Sequence, residues 1–387
     1  MEEWKEYKLG DVCSRLRSGK GIKADSVFNT GKYPVIGGNG VRGYADESNF
    51  EGQAAVIGRQ GAYCGNVRFF EGEAYMTEHA VVAVGNEHAD TRFLACLLSL
   101  MHLGNLSAQS AQPGISVQTL SKQLVCLPSI YYQRKVSAII KSLDDKIELN
   151  RNINANLEAQ AQALFKSWFV DFEPFKDQPF VESELGMIPK GWRVGNLSSF
   201  GKVICGKTPS KAESSYYGGD IPFIKIPDMH NKVFVEQSED NLSQLGDESQ
   251  SAKRIPPYSI LVSCIATVGL VCINTKESHT NQQINTIIPD FPIFRYYLYQ
   301  KLLSIKDYLI NLGRGGTATL NVNTKTFGNI KIVKPQDDVL SEYEKLVTPL
   351  FNKIERNQQE SRRLAELRDT LLPKLMSGEI KIIEKAL

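Results

Sequence analysis

Apolar residues recur at alternating three- and four-residue steps along two long stretches of this chain. The first stripe runs through Ile140, Leu143, Ile147, Asn150, Asn154, Leu157, Ala161, Leu164 and Trp168. The second runs through Val347, Leu350, Ile354, Asn357, Ser361, Leu364, Arg368, Leu371 and Leu375. A stripe this narrow, held for about four heptads, predicts the seam of a coiled coil. Each helix, at roughly 38 residues, would reach about 57 Å. The polar seam positions Asn150, Asn154, Asn357 and Ser361 cost stability but can fix register and pairing. Helix-breaking Pro373 marks the last turns of the second helix.

The two stretches are copies. Lys146, Ile147, Glu148, Asn150, Leu157 and Leu164 align without gaps on Lys353, Ile354, Glu355, Asn357, Leu364 and Leu371. The segments leading into them match more loosely, in the same order. "EEWKEYKLGDV" resembles "KGWRVGNLSSF", "AVIGRQGAYCGNV" resembles "ILVSCIATVGLV", and "PGISVQTLSKQLVCLP" resembles "ATLNVNTKTFGNIKIVKP". The middle pair reads as strand, small-residue turn, strand. A dimerisation coil or a buried bundle helix would carry the same stripe, but the duplication favours an intramolecular pair of helices joining two similar heads. The expected fold class is α+β. Expected boundaries are a first head at 1–130, a long helix at 131–175, a linker at 176–191, a second head at 192–335, and a second long helix with its tail at 336–387.

Composition is that of an ordinary globular protein, with 42% apolar and 23% charged residues in 387. The polar, acidic start "MEEWKEYKLGD" is unlike a secretory signal, and the longest nearly apolar segment, "FLACLLSLMHL", is too short to span a bilayer. The expected location is the cytoplasm. Seven cysteines without a C-x-x-C pair, and five scattered histidines, predict reduced, mostly buried thiols and no metal centre. The first head has 12 Lys+Arg against 13 Asp+Glu, and residues 192–335 have 16 against 11. That mild basic excess permits a nucleic-acid partner without demanding one.

Residues 201–208 spell G-x-x-x-x-G-K-T, the letters of a phosphate-binding loop. Such a loop must close a buried strand and open a helix. Here "WRVGNLSSF" precedes it and Pro209 with the polar "SKAESSYYGGD" follows, so neither neighbour fits. The first copy, "CSRLRSGKGIK", lacks the pattern, and the match is read as an accident of one loop. The sequence also has no G-x-S-x-G, no H-E-x-x-H and no N-P-P-[FY]. Glu78 and His79 could be an acid and a base, but with no orienting third group they are assigned a surface or hydrogen-bonding role.

The loops do hold groups suited to base edges and phosphates. In the first head these are Lys20, Asn39, Arg42, Arg59, Gln60, Tyr63, Gln109, Gln112 and Ser116. In the second they are Lys207, Lys211, Thr280, Asn281, Gln282, Gln283, Arg314, Thr317, Thr319 and Asn321.

With "ALFKSWFVDFEPF" (163–175), "ELGMIPKGW" (184–192) and "LLPKLMSGEI" (371–380), the chain resembles the specificity (S) subunit of Type I restriction-modification systems over nearly its whole length. The resemblance implies two target recognition domains, each reading one half of a split double-stranded DNA target. It implies antiparallel helices that set the gap and dock two methyltransferase (M) subunits, with motor/restriction (R) subunits joining for cleavage. It further implies no catalytic residues or membrane contact in this chain, adenine N6 methylation by the partners, and S-adenosylmethionine and ATP bound on those partners. The near-neutral first head adds that the isolated chain binds DNA weakly, since phosphate neutralisation dominates affinity. Dissimilar loops imply an asymmetric target, with half-sites about 34 to 36 Å apart. The alternatives are a coiled-coil adaptor without nucleic acid and a phosphate-loop nucleotide-binding protein using 201–208.

Overall fold

The computed structural model describes residues 4–107, 113–314, 320–380 and 382. The chain folds as two units, Met1–Glu148 with Arg362–Leu387, and Leu149–Ser361.

In the first unit the strands are β1 (Lys5–Lys8), β2 (Cys13–Ser18), β3 (Tyr33–Gly37), β4 (Gly40–Ala45), β5 (Phe50–Gly58), β6 (Val67–Met76), β7 (Ala80–Gly85) and β8 (Leu124–Leu127). Six of them form one sheet in the order β2-β7-β5-β6-β3-β4. Neighbours run antiparallel except β3 beside β6. Ala54–Ile57 and Ala80–Ala83 are buried without alternation, as expected of short apolar runs covered on both faces. One cover is helix α1 (Thr91–Leu100), which buries Phe93, Leu94 and Leu98 and is capped where Asp90 accepts a hydrogen bond from Phe93 N. Ile36, Phe50 and Met76 fill the other side. Strands β1 and β8 pair antiparallel, and a short helix α2 (Val117–Ser121) precedes β8. Helix α3 (Ile130–Phe169) begins in this unit.

The second unit has strands β9 (Phe180–Ser183), β10 (Gly186–Pro189), β11 (Arg193–Asn196), β12 (Gly201–Cys205), β13 (Tyr217–Ile224), β14 (Phe234–Val235), β15 (Asn241–Leu242), β16 (Ile260–Ser263), β17 (Val271–Asn274), β18 (His279–Thr280), β19 (Ile284–Pro289) and β20 (Lys331–Lys334). Its helices are α4 (Ile226–Met229), α5 (Gln244–Glu248), α6 (Arg295–Ser304), α7 (Lys306–Gly313) and α8 (Thr324–Gly328), followed by α9 (Asp337–Met376). The main sheet has the order β12-β19-β16-β17-β14, which repeats β2-β7-β5-β6-β3 place for place, including the parallel last pair. The pair β11–β20 repeats β1–β8. Helix α8 repeats α2, with Asn323 capping where Ser116 does. The β9–β10 hairpin and the small sheet β15-β13-β18 are additions of the second unit. The fold is therefore mixed α/β, one frame built twice, with two long helices.

Each long helix has 40 residues, about 60 Å. Within the second unit they run antiparallel. Asn357 Nδ2 donates to Asn154 Oδ1 at 2.8 Å, and Asn150 Nδ2 donates to Glu360 Oε2 at 2.8 Å and Ser361 Oγ at 3.2 Å. Within the first unit Arg368 Nη1 donates to Asp144 Oδ1 at 2.9 Å, Arg92 reaches the other oxygen at 3.2 Å, and Tyr132 Oη donates to Leu375 O at 3.2 Å. Ile140, Val347, Ile354, Asn150 and Asn357 are buried, while Leu143, Ile147, Leu157, Leu164, Leu350, Leu364 and Leu371 are half-buried. The uniform narrow seam is corrected in one place. Leu340, Tyr343, Val347, Phe351 and Ile354 are all fully buried in the second unit's core, so the first half of α9 is a core helix with a broad apolar face. The aromatic residues of α6 demand that width, since Tyr296 stacks on Phe351, which widens the stripe beside Leu350.

Thiol burial also needs correcting. Cys264 and Cys272 are buried, Cys126 is exposed and the other four are intermediate; all seven are free.

Glu344 faces the same core, with Oε2 unpartnered among the described residues. Burial, only partly offset by Arg295, pushes its carboxyl up to about 7. The folded state thus holds this proton more tightly than the unfolded chain. Its stabilisation is complete below the unfolded value near 4.5 and is lost as pH rises through about 7. Glu344→Gln will leave stability unchanged at pH 4 and raise it on the order of 2 kcal/mol at pH 8, read by denaturant unfolding at both pH values.

Candidate functional site

Both units pin a Gly–Lys pair by the same bonds. In the first, Gly19 N donates to Ala80 O and Lys20 N to Met76 O; in the second, Gly206 N donates to Ile284 O and Lys207 N to Thr280 O. A side chain at Gly19 would sit 2.1 Å from Met76 O, and one at Gly206 would sit 2.2 Å from Asn281 O. Only glycine permits so close a backbone approach. The lysines that follow are exposed. The full pattern at 201–208 stays peculiar to the second copy, while its Gly–Lys pair belongs to the frame of both. It is no phosphate cradle, because its amides are spent on carbonyls and no helix opens after Lys207.

The strand-turn-strand matches equally closely. Arg59 N donates to His79 O and Ile115 N to Arg59 O; Cys264 N donates to Gln283 O and Val322 N to Cys264 O. Gly61 and Ala266 occupy the same left-handed turn position, φ +76° and +62°. The turn survives even where the residue is not glycine, so the frame imposes it at a cost of about 1–2 kcal/mol.

Several predicted residues meet at this edge of the first unit. Gly38 packs against His79 O and Gly58 Cα, and the Arg42 side chain lies across Gly37. Asn39 Oδ1 accepts from Arg68 at 3.0 Å, Arg59 reaches Ser18 Oγ at 3.5 Å, and Gln60 Oε1 lies 3.2 Å from His79 Nδ1. Tyr63 is half exposed in the turn after Gln60. Ser116 is engaged elsewhere, its hydroxyl capping α2. Gln109 and Gln112 lie outside the described residues.

In the second unit Gln282 is exposed, and its Oε1 accepts from Thr208 Oγ1 at 2.6 Å. Thr280 and Asn281 are buried, and Asn281 holds Gln283 through two hydrogen bonds, so these three shape the loop from which Gln282 projects. Asn321 bridges to Ile265, and Arg314 follows Gly313, whose carbonyl accepts from Asn321 N. Lys211 is exposed. Thr317 and Thr319 lie outside the described residues.

Sequence reasoning missed the anchor beneath. His279 Nε2 lies 2.7 Å from Asp247 Oδ1, and Arg254 grips the same carboxylate. His279 is fully buried and Asp247 is 2% exposed. Burial pushes the Asp247 carboxyl up, but bonds from Arg254 and His279 outweigh it and hold the group below its usual range. The triad fastens β18 just before the Gln282 loop. Positions 247, 254 and 279 show no spacing that would betray it. Among the described residues, no group of three His, Cys, Asp or Glu could hold a metal ion, and no helix is long and apolar enough to cross a membrane.

Two copies of one frame, each displaying polar side chains from a pinned edge, define a duplicated recognition scaffold. The family model for the Type I restriction modification DNA specificity domain matches residues 1–159 and 189–366. The chain is 37% identical over 463 residues to the Type I restriction enzyme HindI specificity subunit of Haemophilus influenzae, covering 98% of this chain and all of that one. It is 32% identical over 292 residues to the MjaIX specificity subunit of Methanocaldococcus jannaschii, covering 73% of this chain and 66% of that one. Its fold is similar to the crystal structure of a Type I restriction-modification S subunit from M. genitalium, with TM-score 0.64, 14% identity, and coverage of 99% and 97%. The chain belongs to the Type I restriction-modification DNA specificity family. It is the non-catalytic, DNA-recognition component of such a system.

Proposed function

We propose that each unit reads one half of a bipartite, asymmetric DNA target, and that α3 and α9 fix the number of bases between the halves and carry two methyltransferase subunits. Those partners methylate adenine at N6, with S-adenosylmethionine on them and ATP on the motor/restriction subunits that cleave. The observation that carries this reading is the doubled frame with different side chains on it. Lys20 and Lys207 share one place, whereas Gln60 has Ile265 as its counterpart in the other frame, His79 has Gln283 and Gly114 has Asn321. One backbone scaffold with two sets of side chains specifies two different half-sites. Residues 1–130 are near neutral, so tight binding needs the cations of the enclosing methyltransferases.

The test is coexpression with the methyltransferase of the same system and a genome-wide map of methylated adenines. A bipartite motif with unlike halves is expected. Adenine methylation without sequence dependence would instead favour an adaptor that does not read DNA. Removing one heptad from both helices shortens each by about 10 Å, or about three base pairs at roughly 3.4 Å per step. The preferred gap will shift by that amount or be lost, while both half-site sequences persist. Altered half-sites at an unaltered gap would refute the spacing role.

A further inference from the structure

Glu78 and Gln282 occupy the same place in the two frames. Two residues before them, Met76 O and Thr280 O accept from Lys20 N and Lys207 N; one residue after, His79 O and Gln283 O accept from Arg59 N and Cys264 N. Both side chains leave the turn beside an exposed lysine, and each is steadied from behind. His79 Nε2 lies 3.2 Å from Glu78 Oε1, with Gln60 holding the other ring nitrogen, and Thr208 holds Gln282. Glu78 is 43% exposed in its side chain, yet its Oε2 finds no hydrogen-bond partner among the described residues. That oxygen is buried, and it reaches a donor outside only when the carboxylate rotates about the bond that also carries Oε1 and its contact with His79.

A carboxylate on a DNA-reading edge is repelled by phosphate and is tolerated only where it meets a donor. In the major groove it accepts from cytosine N4. Adenine also has an amino group, but its N7 acceptor lies beside it and faces the second carboxylate oxygen. An amide carries both a donor and an acceptor and matches adenine N6 and N7. We propose that Glu78 and Gln282 are paired specificity residues, Glu78 selecting cytosine at one position of the first half-site and Gln282 selecting adenine at the corresponding position of the second. This rests on the reading of each unit as a half-site reader.

The test exchanges the two residues in the full chain assembled with its methyltransferase, and maps methylated adenines. Glu78→Gln will remove the cytosine preference at one position of the first half-site by roughly 5- to 150-fold, leaving the second half-site and the gap as they were. Gln282→Glu will bring cytosine into the second half-site. Retention of the wild-type first half-site by Glu78→Gln overturns the proposal. If that variant methylates nothing, the outcome rests on Gln282→Glu, where an unchanged second half-site overturns it equally. Absence of any bipartite motif in the wild type would instead remove the half-site reading itself.

Discussion

Gly206→Ala will abolish sequence reading by the second unit while the first half-site is read normally. The added carbon would lie 2.2 Å from Asn281 O and 2.3 Å from both Thr280 O and Thr280 Oγ1. Thr280 and Asn281 are buried, tied to the Asp247–His279–Arg254 anchor through β18, and cannot retreat. The Gly–Lys segment must move instead, taking Lys207 and Thr208 away from Gln282. Each lost base contact removes roughly 1–3 kcal/mol of discrimination, so methylation of duplexes with an intact second half-site will fall at least about 10-fold toward that of duplexes with a scrambled one. Gly19→Ala, whose carbon would meet Met76 O at 2.1 Å, will do the same to the first half-site. Unfolding temperatures of both variants distinguish a moved loop from a lost fold. A folded Gly206→Ala chain with an unchanged motif would show that this edge does not face DNA.

Phe351→Ala will destabilise the second unit by about 3–5 kcal/mol, a large part of the 5–15 kcal/mol that typically holds a domain together. Phe351 is fully buried. Its ring stacks on Tyr296 at 4.0 Å and 4°, and meets Tyr299 edge-on at 5.5 Å and Phe234 at 6.4 Å. Removing it empties the contact between α9 and α6, and no neighbour is flexible enough to refill it. Leu346→Ala on the same helix, 50% exposed, will change stability by less than about 0.5 kcal/mol. Calorimetry or denaturant unfolding of the two variants reads the difference. Comparable small effects would mean that α9 acts only as a seam.

These two expectations differ in how far they were legible beforehand. The repeat, the long helices and the polar register positions come from local periodicity, and Asn150, Asn154 and Asn357 duly pair inside the interface. Phe351 falls outside the three-four stripe, one position past Leu350, because the partner that buries it lies about fifty residues away on α6. Lys20 and Lys207 stand in stretches that the duplication already aligns, but that the shared Gly–Lys is a fixed part of the frame emerged only when both were found hanging from the same strand ends.

Side-chain periodicity and duplication are properties of the chain itself, and they determined the number of heads, the rods and the family resemblance. Which loops share an edge was decided by the tertiary structure. Hydrogen bonds between residues 56 and 73 positions apart, Lys20 to Met76 and Lys207 to Thr280, form only after the sheet has closed. That closure turns Glu78 and Gln282 from scattered polar letters into matched positions, because a backbone frame, and not sequence neighbourhood, sets where a side chain can be presented.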